Sequence, residues 1–147
     1  MKPVTLTVAV SLATMPALLP ADDHIELVEL MESLQIYTHK IHLSLEAGNS
    51  RLAGFYSHEM EEVVETLKDI DEYDSPPVGK LVEDRLEPAF KAFRNSLRGK
   101  KGGSSTDLAF DALLQACNGC HEATNHEFIV VVKNPHNPYM QSFDPVP

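Results

Sequence analysis

Leu27-Val28-Glu29-Leu30-Met31-Glu32-Ser33-Leu34-Gln35-Ile36-Tyr37-Thr38-His39-Lys40-Ile41-His42-Leu43-Ser44-Leu45 is the stretch that decides the fold. Within it Leu27, Met31, Leu34, Thr38, Ile41 and Leu45 recur at spacings of alternately four and three residues. That repeat holds one seam of a helix against a neighbour, and Leu30 and Tyr37 widen the seam to the face a bundle helix needs. Asp22 or Asp23 can cap the start and suits the positive end of the helix dipole. Gly48-Asn49 is a clean stop.

Working outward, the pattern predicts three more helices. The second runs from about Ser50 to Tyr73 and turns Leu52, Phe55, Tyr56, Val63, Leu67 and Ile70 inward. Ser75-Pro76 reads as an N-cap with proline at the first helical position. The third helix uses Val78, Leu81, Val82, Leu86, Ala89, Phe93 and Leu97, with a kink at Pro88, which has no N–H to give to the helix. A basic glycine-rich loop over 99–105 follows, and Ser105 or Thr106 opens the fourth helix. Phe110, Leu113, Leu114, Cys117 and His121 share one face of it. Four helices with short links predict an all-α, antiparallel four-helix bundle with up-down-up-down topology.

Cys117-Asn118-Gly119-Cys120-His121 contains the only two cysteines. On a helix Cys117, Cys120 and His121 fall on one face. The C-x-x-C-H spacing is that of covalent haem attachment, in which two thiols add to two vinyl groups and the histidine supplies an axial nitrogen. Three other readings stay open: a redox dithiol, a disulfide, and half of a zinc site. The dithiol reading wants a βαβ context and the zinc reading a second ligand pair, and neither pattern is present. A disulfide across so short a loop would constrain the unfolded chain little.

Residues 1–21 read as an exported leader: Lys2 carries the charge, Val4 to Leu19 are apolar and small, and Ala21 precedes Asp22-Asp23. Thr5, Thr7, Ser11, Thr14 and Pro16 interrupt that run and make it a poor membrane span, so no stable membrane anchor is expected. The implied location is periplasmic, which agrees with haem attachment outside the cytoplasm. Without the leader about 126 residues remain, enough for one compact domain. The formal net charge of −10 disfavours nucleic acid and anionic membranes and would steer the protein toward a basic partner. An acidic surface equally serves solubility. There is no P-loop, Rossmann glycine pattern or nucleophile elbow, and no acid, base or nucleophile stands out, so the chain is not expected to be an enzyme.

Leader, four helices and a C-x-x-C-H near the end of the last one resemble the class II c-type cytochromes, the cytochrome c′-like bundles. The resemblance covers about Asp22 to Thr124 and rests on organisation and one five-residue motif. It implies one haem c per chain, with Cys117 and Cys120 as attachment points and His121 as the proximal iron ligand. It also suggests a homodimer through the outer helices. The chain departs from that pattern in having 26 residues after His121 and no basic residue in Leu114-Gln115-Ala116.

The expected haem site lies between the fourth and first helices (22–125 forming the bundle), walled by Leu27, Leu34, Leu113 and Ala116. Met31 on the seam is the candidate distal ligand, and methionine–histidine ligation favours electron transfer with a redox partner protein. A methionine on an apolar stripe also serves simply to pack. The alternative is a vacant, five-coordinate site for a diatomic gas such as NO or CO. Further distal candidates are His24, His39, His42, His58, His126, His136 and Met140, and any single one of these histidines reads as a surface residue. His39 and His42 flank the seam. In the tail (126–147), Phe128-Ile129-Val130-Val131-Val132 suits an extended segment. It reads as a strap over the haem edge, as a strand pairing with a second subunit, or as a cover for apolar surface.

Overall fold

The computed structural model of the chain describes residues 23–70, 77–98 and 103–146. The expected leader and the Ser75-Pro76 cap lie outside them. Two long helices come first, α1 (Asp23–Glu46) and α2 (Ser50–Lys68). Then α3 (Val78–Leu81), a π-helical turn (Val82–Leu86) and α4 (Glu87–Arg98) form one continuous helical run, and α5 (Ser104–Ala123) closes the set. The fold is therefore helical, four rods with no strand among the described residues. No helix among them is long and apolar enough to cross a membrane.

The heptad seam behaves as its spacing requires. Leu27, Leu34, Thr38 and Ile41 are buried, while Met31 and Leu45 are partly buried against the same core. Gly48, at φ 70°, turns the chain: Asn49 N–H reaches Ser44 O at 2.8 Å and Gly48 N–H reaches Leu45 O at 2.9 Å. This is a Schellman stop, which needs a residue at ease in the left-handed region. Asn49 then caps α2 by accepting from Leu52 N–H at 3.0 Å.

In α2 the buried stripe is Ala53, Tyr56, Ser57, Met60, Val64 and Leu67. Phe55, expected inside, is 54 % exposed and lies edge-on to Tyr56 at 5.2 Å. Tyr56 and Phe55 are adjacent, so they point about 100° apart, and the stripe through Met60 and Val64 takes Tyr56. The helix also stops at Lys68, short of the expected Tyr73.

Pro88 does not bend a regular α-helix. The distortion lies in the π turn before it, where Glu87 N–H bonds to Val82 O, five residues back. The wider turn relieves the proline ring of its clash with the carbonyl four residues earlier. The third rod starts at Val78 with Pro77 as its cap residue, and the last at Ser104 after Gly103, slightly earlier than the sequence suggests.

α1 packs mainly on α2, and α5 on α4 and the π turn, with α2 also touching the third rod. The core centres on Ile41, Met60, Phe90, Phe93, Phe110 and Leu113. Glu61–Arg94 and Lys68–Glu87 (3.0 Å) ion pairs tie α2 to α4. Where α2 meets α3 the backbones almost touch: Gly79 N–H donates to Ile70 O at 2.9 Å. A β-carbon at Gly79 would overlap Lys68 O and approach Ile70 O to 3.0 Å. Backbone atoms cannot yield as a side-chain tip can, so Gly79→Ala is expected to destabilise by about 3 kcal/mol, the upper range for overpacking. Urea unfolding measures it, and an unchanged midpoint would contradict this packing.

Candidate functional site

The end of α5 builds the site. Its last turn closes as a second Schellman motif: His126 N–H reaches His121 O at 2.7 Å and Asn125 N–H reaches Glu122 O at 3.3 Å. Asn125 takes the left-handed position at φ 58°, where asparagine is tolerated better than most residues. The reversal sends the tail back over the helix it has just left. Asn118, inside the C-x-x-C-H run, then pairs with Val131 through both ends of its amide. It donates to Val131 O at 3.1 Å and accepts from Val131 N–H at 2.8 Å.

The strap continues along α1. His39 bonds to Asn134 O at 3.0 Å and to the Tyr139 hydroxyl at 3.2 Å. Tyr56 donates to Gln141 at 2.7 Å, and Asn49 to Phe143 O at 3.0 Å, where Phe143 enters the core. Residues 124–146 form neither helix nor strand, and the hydrogen bonds above join them to helices of the same chain. Asn118→Ala should free Val131 at a cost of about 1–2 kcal/mol, since two modest hydrogen bonds go together. Faster amide exchange at Val131, with the core amides unchanged, is the expected readout.

Between α1, the π turn, α5 and the strap lies a cavity of about 660 Å³, within the range of ligand sites. Cys117, Cys120 and His121 line it from one side and Met31, Leu27 and Leu34 from another. Of the expected walls, Leu113 and Ala116 belong to the core packing, and Leu114 faces the cavity in their place. Arg85 of the π turn donates to Gly119 O at 2.7 Å, a cation at the negative end of α5. Cys120 Sγ sits 3.7 Å from Leu81 O.

His121 Nδ1 lies 2.7 Å from Ile129 O. A carbonyl only accepts, so Nδ1 carries a proton, and in the neutral ring Nε2 is then the nitrogen with the lone pair. Histidine metal ligands are commonly oriented in this way, by giving the other N–H to a backbone carbonyl. Burial pushes the Cys117 thiol up to about 12, and it raises Cys120 too, partly offset by Arg85. Both are therefore thiols at neutral pH, unlike the low-pKa thiolate of a dithiol exchanger. Among the described residues no group of three or more His, Cys, Asp or Glu is placed to hold a metal ion.

A haem is compatible with these residues: two thiols and an oriented imidazole on one wall of a mainly apolar cavity that the strap borders on another side. Of the other distal candidates, His58, His136 and Met140 are exposed and outside the cavity. His39 lines it with both ring nitrogens bonded, whereas His126 lines it with Nδ1 2.7 Å from Thr124 O, the same kind of carbonyl contact that His121 makes. His42 departs from its surface reading. It is 5 % exposed, stacked on Phe110 at 6.1 Å and 8°, and its Nε2 is unpaired. The sequence carried a weak sign of this, since His42 follows the seam residue Ile41 and lies four residues after Thr38.

No protein-family model, curated protein or solved structure matches the chain.

Proposed function

We propose that the chain is an exported, periplasmic monohaem c-type cytochrome that carries electrons to or from a basic partner protein, with Cys117 and Cys120 as thioether anchors and His121 as proximal ligand. The observation that carries this reading is the 2.7 Å contact of His121 Nδ1 with Ile129 O, which leaves the Nε2 lone pair of the neutral ring for a metal in the cavity that both protonated thiols line. When bound, the haem supplies a one-electron ferric–ferrous change. The protein's part is to hold the imidazole in one tautomer through the strap carbonyl and to wall the macrocycle with apolar side chains.

The bundle we propose is antiparallel, and His42 stacked on Phe110 supports a register for it. His121 lies eleven residues beyond Phe110, and Met31 eleven residues before His42. At 1.5 Å per residue both steps are about 16 Å, which brings Met31 opposite His121. Met31 lines the cavity partly buried, a position from which its thioether would be the distal ligand.

The test is the ferrous spectrum before and after CO. The proposal expects a low-spin spectrum that CO leaves unchanged, and Met31→Ala should convert it to a CO-binding form. A wild-type protein that binds CO at once would instead favour the gas-binding reading of the same site.

A further inference from the structure

His42 has no role in holding the iron under the reading above, yet its side chain lines the same cavity and its Nε2 is buried without a partner. Buried polar atoms are nearly always partnered, so an orphan in a side chain that borders a cavity suggests a ligand atom as its partner. One ring face is covered by Phe110, at 6.1 Å and 8°. Lys133 of the strap lines the same cavity, with Nζ 6.0 Å from the Phe110 ring centre. The charged groups acting on His42 are Glu46 and His39 from α1, Asp111 from α5 and Lys133 from the strap. Asp111 is paired with Lys133.

We propose that the His42–Lys133 end of the cavity is a carboxylate-binding subsite for the acidic end of an otherwise apolar ligand. An imidazole N–H and a lysine are both donors suited to a carboxylate. A cationic ligand would meet Lys133, and the Leu, Val and Phe walls require the rest of the ligand to be apolar. The subsite rests on the haem reading for one source of that chemistry, the macrocycle's propionates. The other source is a free long-chain carboxylate in a haem-free cavity. Binding carries a proton change. Burial now holds His42 below its ordinary value, and an adjacent carboxylate acts in the opposite sense, favouring the charged imidazolium.

Nitrogen-15 NMR of the histidine side chains tests this, with His42→Phe identifying the His42 signals. If the isolated protein carries haem, His42 is expected to titrate above the ordinary 6.5. Titration at or below that value, as burial alone dictates, would overturn the subsite while leaving the haem reading intact. If the isolated protein is colourless, the haem reading fails by itself and the subsite is tested with dodecanoate and dodecanol. Dodecanoate should raise the proton affinity of His42 about tenfold, the scale of one opposite charge close by, and dodecanol should not. No response to dodecanoate, or an equal response to both, would overturn it.

Discussion

A Cys117→Ala, Cys120→Ala double variant produced alongside a cytochrome maturation system should carry no covalent haem, and its denatured mass should be that of the polypeptide alone. Both thiols line the cavity three residues apart on one helical face, and both stay protonated at neutral pH. Each single variant should keep one thioether, so haem survives denaturation in part. Alanine is smaller than cysteine at sites that are only partly buried, so the helical fold should persist and its circular dichroism should be unchanged. A double variant with undiminished covalent haem would mean that these sulfurs are not the anchors.

His121→Ala should produce the second large effect, on spin state and strap together. The substitution removes the proposed axial nitrogen and the hydrogen bond to Ile129 O. Loss of a strong-field nitrogen should move the ferric spectrum away from low spin. Loss of the carbonyl contact should speed amide exchange over 129–131, although Asn118 still holds Val131. Added imidazole should restore the spectrum and leave the strap loose, because it replaces the ligand and not the tether. An unchanged spectrum would contradict the assignment of His121.

Much of the helical organisation was legible because it depends on local periodicity. The seam from Leu27 to Leu45 predicts a helix over most of Asp23–Glu46, and Gly48-Asn49 supplies the stop that the structure uses. The end of α2 was less legible, since the chain just beyond it makes a backbone contact, Gly79 N–H to Ile70 O, that local periodicity does not show. Pro88 signalled a distortion but not its form. A π turn and a kink both answer a missing N–H, and the choice between them depends on packing against α5.

In the site, the spacing of Cys117, Cys120 and His121 carried the reading, and the structure brings all three to one cavity with Met31. The Ile129 and Val131 contacts were not legible, because they join a helix to an extended tail that has no pattern of its own to register against. His42 was missed for a related reason. Beside the seam a histidine reads as surface, and its burial against Phe110 is a contact between helices that local periodicity does not show.

The most direct measurement is the absorption spectrum and mass of the wild-type polypeptide after denaturation and acid-acetone extraction, from a host able to mature cytochromes. The account predicts a coloured polypeptide heavier by a single haem. A colourless polypeptide of unmodified mass would contradict it.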